Sequence, residues 1–309
     1  MRKGMAISTL HKPSQEARRK ALRKNVLGWS LMAPALVFML LFTVYPVIRS
    51  FYLGMTDYSL GMEAPVFIGF HNYVKLAGTA LFWKVVRNTL YFALLTVFPS
   101  MALGLGLALL VNRSTKTVSF LRVGYFYPVV MPMIAAASIW SFIYMSNNGL
   151  WDQFLRSIGR QPMDVLSSKT TVLPAMAIMY VWKEAGYLMV FFLSGIQSIS
   201  PELMEAAKLD GASHGQVFRR IMLPLLGPTT LFVTSIEFTN CFKLVDHVMI
   251  MTEGAPNNYS TLLLYYIYQQ GFTNFNYGIS NALTVIMLLF LLAVSLPRFF
   301  SQDRKIYYS

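Results

Sequence analysis

Residues 205–224 read EAAKLDGASHGQVFRRIMLP, a polar stretch set between two long apolar runs. Its spacing predicts two short helices. Ser200 suits an N-cap and Pro201 the first helical position. Glu205, Ala206 and Ala207 continue a strong helix-forming run. Gly211 offers the left-handed conformation that ends a helix. Ser213 followed by Gln216 has capping-box spacing for the second helix. Arg219 and Arg220 fall near the end of that helix, where cations suit the helix dipole, and Pro224 opens the next apolar segment.

The chain around this stretch is apolar. It has 309 residues and a net charge of +13, yet only 13% of its residues are charged. Low charge with long apolar runs indicates a membrane protein, and the basic N-terminal segment lacks the interleaved aromatics of a nucleic-acid surface. A bilayer takes about 20 apolar residues per helix. Six runs qualify: about 26–48, 88–110, 123–145, 171–196, 225–250 and 278–297. The expected fold is therefore all-α, a polytopic membrane protein of six transmembrane helices. Residues 1–25 form a basic tail, solvated or folded as a short basic helix over 15–25 on the anionic inner leaflet of membrane lipid. Residues 26–300 form the transmembrane domain, with the polar loop at 200–224 inside it, and residues 301–309 a second tail. The first run is longer than the apolar core of a signal peptide, about 7–15 residues, and reads as a retained span. Gly104 and Gly106 are available for close helix packing in the second span. Pro128 and Pro132 can kink the third. Residues 52–83, 146–169 and 252–277 are the expected external loops, with 151–158 as an interfacial segment.

Basic residues beside the spans set the orientation. With the N-terminus inside, the inner side holds Arg2, Lys3, Lys12, Arg18, Arg19, Lys20, Arg23, Lys24, Arg113, Lys116, Arg122, Lys208, Arg219, Arg220, Arg298, Arg304 and Lys305. The outer side holds seven: Arg49, Lys75, Lys84, Arg87, Arg156, Arg160 and Lys169. Both termini are then cytoplasmic, and so is the loop between spans four and five.

No catalytic residue, cofactor site or metal site is expected. There is no GxxxxGK[ST] phosphate loop and no HExxH pattern, and the four histidines do not cluster at metal-ligand spacing. Cys241 is the only cysteine, so no intrachain disulfide forms, and packing is its expected role. The informative residues are charges within spans, since each costs about 2.5–3.5 kcal/mol at the bilayer centre unless it faces a protein interior or cavity. Lys183 and Glu184 lie in the fourth span, and Glu237 and Asn240 in the fifth, with Lys243 and Asp246 nearer its outer end. Two readings stand. Lys183 and Glu237 form a structural ion pair, or a hydrophilic translocation path is lined by Lys183, Tyr187, Glu237 and Asn240.

The loop resembles the EAA loop of membrane subunits of ATP-binding-cassette (ABC) importers, through Glu205-Ala206-Ala207, Asp210-Gly211-Ala212, Phe218, Ile221, Leu223 and Pro224. The resemblance implies that its first helix is a coupling helix docking in a cleft of a cytoplasmic ATPase. Glu205, Ala206, Ala207, Asp210, Gly211 and Ala212 would carry the coupling. Two alanines permit close approach, and Glu205 can pair with a basic residue of the partner. Gly69-Phe70, Asn72-Tyr73, Trp182-Lys183, residues 251–256 and residues 268–278 with Phe272, Phe275, Asn276 and Gly278 resemble the carbohydrate branch, which includes maltose and glycerol 3-phosphate permeases. Glu253-Gly254-Ala255 departs from the three glycines usual there. The implied function is a permease subunit of an importer for a sugar, oligosaccharide or sugar-like solute in a bacterial inner membrane. The implied partners are a second permease in a heterodimer, an ATPase dimer and an extracytoplasmic solute-binding protein. Two alternatives are a secondary transporter driven by an ion gradient, which leaves the loop unexplained, and a non-transporting membrane assembly factor.

Overall fold

The computed structural model describes residues 15–112 and 115–302, with side chains described for 23–112, 115 and 118–296. Arg2, Lys3, Lys12, Arg113, Arg304 and Lys305 lie outside the described residues, as do the side chains of Arg18, Arg19, Lys20, Lys116 and Arg298. The expected C-terminal tail lies outside them beyond Gln302. The chain divides into two compact units, residues 1–52 and 53–309.

The first unit is helical. α1 (Gln15–Met39) passes through a π turn at Leu40–Val44 into α2 (Tyr45–Gly54), so residues 15–25 continue directly into the first span. The apolar helix covers Arg23–Gly54, longer than the 26–48 expected. The reason is local. In the π turn the Tyr45 amide donates to the Leu40 carbonyl, one residue further back than in an α-helix. The wider turn takes in Pro46, which lacks an amide proton and would otherwise end the helix.

The second unit is a helical bundle with one two-stranded ribbon, β1 (Thr56–Asp57) antiparallel to β2 (Val66–Phe67). After α3 (His71–Ala77), its centre is α4 (Ala80–Leu110) packed along α8 (Val172–Gln197), the most extensive helix contact. Gly104 makes that approach possible. A Cβ there would come within 2.8 Å of the Leu188 Cβ and 3.2 Å of the Ala185 carbonyl, whereas Gly106 faces open space.

The third expected run is broken rather than kinked. α5 (Lys116–Val130) and α6 (Met133–Ile143) meet at 98°. Met131, just before Pro132, is extended (φ −69°, ψ 138°), as the proline ring requires of its predecessor, and Pro132 caps α6. The fifth is broken too. The expected run at 225–250 is α12 (Gly227–Phe242) followed by a separate short helix, α13 (Asp246–Met251). Among the described residues, four helices are long and apolar enough to cross a membrane: Arg23–Gly54, Ala80–Leu110, Val172–Gln197 and Tyr277–Leu296. Two bent pairs, Val118–Val130 with Met133–Ile143 and His214–Leu225 with Gly227–Phe242, bring the number to six if each is one span.

The long loops are held by polar side chains. Asn72 Nδ2 donates to the Gly54 and Thr56 carbonyls at 3.0 and 2.8 Å. Lys84 Nζ donates to the Asn257 carbonyl at 2.6 Å and sits 3.5 Å from the Tyr259 ring centre. One turn on, Asn88 donates to the Asn258 and Thr261 carbonyls. Residues 252–277 are therefore not a simple polar loop: α14 (Leu263–Tyr268) buries Tyr265 and Tyr266 in the core. α7 (Leu150–Ser157) is amphipathic, exposing Leu150 and Phe154.

Candidate functional site

The loop at 200–224 folds into two capped helices. α9 (Pro201–Leu209) has Ser200 at its N-cap position and Pro201 at its start; the Ser200 hydroxyl turns to Glu202 at 3.5 Å rather than to the backbone. At the other end Gly211 has φ +79°, the left-handed conformation that side chains disfavour. The Gly211 amide donates to the Lys208 carbonyl at 3.1 Å and the Ala212 amide to the Ala207 carbonyl at 3.0 Å. This pair of bonds is a Schellman cap, which satisfies carbonyls that the helix end leaves open. The capping box then starts α10 (His214–Val217): Ser213 N–H donates to Gln216 Oε1 at 2.8 Å and Gln216 N–H to Ser213 Oγ at 3.4 Å. A π turn (Phe218–Met222) and α11 (Leu223–Leu225) continue that helix, placing Arg219 and Arg220 in its middle. It meets α12 at 65°, where Gly227 and Pro228 restart the chain.

The two faces of α9 differ. Ala207 is buried in the chain's own fold, 9% exposed, while Ala206 beside it is exposed. Of the two alanines expected to meet a partner, only Ala206 is free to do so. Leu209 is 89% exposed and Leu203 51%. Glu202, Glu205 and Asp210 are exposed around them. Lys208 is exposed beside Leu209 as well, so α9 holds two apolar side chains out among charges of both signs. Sequence reasoning passed over Leu209, although its place at the end of a polar loop helix, away from the burial pattern of Met204 and Ala207, was there to read.

The four residues expected to line a path have different surroundings. Lys183 is buried on α8, donating to the Val129 carbonyl at 3.3 Å, with Glu184 Oε1 at 4.0 Å from its Nζ. Glu237 is 0% exposed. It lies beside Ser100 of α4 and Tyr180 of α8, without hydrogen-bond geometry to either. Lys183 and Glu237 form no ion pair with each other among the described residues. Tyr187 packs edge-on against Phe191, ring centres 4.9 Å apart, and Phe191 against Phe232 at 5.4 Å. Only Asn240 borders an open groove of about 540 Å³, whose wall is largely apolar (Phe232, Ile236, Leu292 and Leu296) and whose other polar residues are Ser235, Thr239, Lys243 and Ser295. Ser235, Thr239 and Lys243 recur every four residues, so they form one stripe of α12. That spacing was legible in the sequence. A second cavity, about 690 Å³ at the α5–α6 bend, is lined almost wholly by apolar groups, with Trp140 and Trp182 paired at 5.7 Å.

Comparison with known proteins agrees with this architecture. Residues 100–304 match the family model described as binding-protein-dependent transport system inner membrane component. The probable starch degradation products transport system permease protein AmyD of Thermoanaerobacterium thermosulfurigenes is 30% identical over 292 residues, 93% of this chain and 98% of that protein. The trehalose/maltose transport system permease protein MalF of Thermococcus litoralis is 29% identical over 278 residues, 89% of this chain and 92% of that one. A chain in the crystal structure of a bacterial alginate ABC transporter, in complex with an alginate pentasaccharide-bound periplasmic protein, has the same fold: TM-score 0.80, 22% identity, 92% of this chain and 96% of that one. A permease-type helical bundle, a capped loop between two spans and a family match over both together assign the chain: it belongs to the family of binding-protein-dependent transport system inner membrane components.

Proposed function

We propose that this chain is the membrane-spanning permease subunit of an ABC importer, passing a sugar or sugar-like solute into the cytoplasm. It is a transporter subunit, with ATP hydrolysed by a separate ATPase dimer docked on α9. A second permease completes the path, and an external binding protein delivers the solute. Each bent helix pair makes one span, giving six, with both termini in the cytoplasm of a cell whose inner membrane holds the protein. Glu205, Ala206, Asp210 and the exposed Leu209 meet the ATPase, while Ala207, Gly211 and Ala212 hold the loop in shape. The α12 stripe of Ser235, Thr239 and Lys243, with Asn240 beside it, lines the path. The relatives AmyD and MalF, named for starch products and for trehalose and maltose, support a carbohydrate solute.

The observation that carries this proposal is the exposed α9 face. An ATPase that closes on ATP biases a permease only through a contact that differs between states. A short helix started by Pro201 and closed at its C-terminal end by a hydrogen-bonded Schellman cap is stiff enough to transmit such a bias. The test is solute uptake into cells or vesicles with ATP present and the ion gradients collapsed by ionophores. Continued uptake supports the importer, and uptake that stops with the gradient while ATP remains supports an ion-driven carrier instead.

A further inference from the structure

Between Gly227 and Lys243 the chain carries two charged side chains, and α12 sends them opposite ways. Glu237 is turned into the chain's own core, fully buried among α4 and α8. Lys243, the C-cap residue of the helix, is exposed and borders the α12 groove. No carboxylate lines that groove. Asp246, the acid nearest in sequence, makes no ion pair with Lys243 among the described residues.

Phe232, Ile236, Leu292 and Leu296 form the apolar wall of the groove, and its remaining polar groups divide by hydrogen-bonding role. Ser235 and Thr239 spend their hydroxyl protons on the Leu231 and Ser235 carbonyls, both at 2.8 Å, and so present oxygen lone pairs outward. The Asn240 amide makes no side-chain hydrogen bond among the described residues, and neither does the Lys243 ammonium. The stripe thus offers acceptors for solute hydroxyl groups along its length and one full positive charge at its end. A neutral sugar uses the first set and leaves the ammonium with nothing of opposite sign. A solute bearing both hydroxyls and an anionic group satisfies all of it.

We infer that the solute is an anionic carbohydrate, and that Lys243 is the residue of this chain that selects for its negative charge. The inference rests on the α12 groove being part of the translocation path.

The test uses the assembled membrane complex, without binding protein or nucleotide, and two trisaccharide probes, trigalacturonate and neutral maltotriose. By equilibrium dialysis, trigalacturonate should bind about tenfold or more tightly than maltotriose, as expected of one charge pair at a partly hydrated site. Lys243→Gln should bring the two within about twofold, and Lys243→Arg should keep the preference. Equal binding by the unaltered complex, no binding of trigalacturonate, or a preference that survives Lys243→Gln would overturn the inference. A second measurement separates this from the underlying path. In a Cys241→Ala background, Thr239→Cys is reacted with sulfonate-bearing and trimethylammonium-bearing thiosulfonates. The anionic reagent should react faster, and Lys243→Gln should remove the difference. Equal rates with Lys243 present overturn the charge selection and leave the path standing, whereas no reaction with either reagent overturns the path itself. If Lys243→Gln releases the partner permease while the reagent ratio stays unchanged, Lys243 pairs with a carboxylate of that subunit and the inference fails.

Discussion

Replacing Gly211 with valine should uncouple the importer while leaving its fold intact. Gly211 sits at φ +79°, and a Cβ at this position meets nothing within 4 Å. A steric clash is therefore not the cause of damage. The cost is the backbone conformation itself, roughly 1–2 kcal/mol for an L-residue in the left-handed region, with a β-branched side chain at the upper end. If the turn relaxes to avoid it, the Gly211–Lys208 and Ala212–Ala207 bonds are lost, each worth about 0.5–1.5 kcal/mol net. Either way the loop loses about 1–3 kcal/mol, which lowers the population of its docking geometry by roughly 5- to 150-fold. The loop is exposed, so the bundle does not share the loss. The assay is ATP-driven uptake and ATPase retention in the same membrane vesicles for Gly211→Asn and Gly211→Val. Asparagine tolerates left-handed geometry and should be mild. Valine should transport at about a fifth of the normal rate or less, with normal insertion. Valine vesicles that take up solute as well as asparagine vesicles, with the ATPase bound, would refute the reasoning.

Ala206→Arg should release the ATPase from membranes without affecting thermal stability, whereas Ala207→Arg, at a buried position, should disturb the loop's own folding; protease sensitivity at 200–224 separates the two. Lys183→Met and Glu237→Gln should be additive in thermal stability to within about 0.5 kcal/mol, since the two side chains do not pair, while Lys183→Met and Glu184→Gln should couple by more than that. Single cysteines replacing Leu60, Arg160 and Phe272 in a Cys241→Ala background should react with an impermeant thiol reagent on intact cells, and those replacing Thr115 and Asp210 should not; labelling at Asp210→Cys would reverse the proposed orientation.

Local chemistry was the legible part of the chain. Gly211, Ser213 and Gln216 specify their caps through backbone conformation and hydrogen-bond reach over three residues, and the structure has both caps. The fourth and sixth apolar runs, at 171–196 and 278–297, coincide with Val172–Gln197 and Tyr277–Leu296, because apolar length needs no tertiary information. The outcomes at Pro46 and Pro132 were harder. Pro46 passes through a π turn and the helix continues, whereas Pro132 ends one helix and begins another at 98°. The residue alone does not distinguish these outcomes; what differs is whether the preceding backbone widens to an i−5 bond or extends.

The polar interior was less legible still. Lys183 and Glu237 are the charges most costly to leave in lipid, so they drew attention as path residues, yet each is buried within its own chain. Burial of a charge marks where lipid is excluded, which a core achieves as well as a channel. Periodicity marks the open face: Ser235, Thr239 and Lys243 share one stripe of α12, and Glu237 is on another. Ala207 shows the same limit on a smaller scale. It stands beside Ala206 in the motif but faces inward, because Met204 and Ala207 supply the buried side of a two-turn helix.

The most direct test of the coupling surface is a crosslink from Leu209. With Cys241→Ala and Leu209→Cys in the assembled importer, a short thiol-reactive photocrosslinker attached at that position should give one adduct, of the mass of this chain joined to the ATPase. The yield should change between nucleotide-free and ATP-bound complexes and should drop when Gly211→Val is added. An ATPase that copurifies with the complex but forms no adduct from Leu209→Cys, or an adduct with the external binding protein in its place, would contradict the assignment of α9 as the coupling surface.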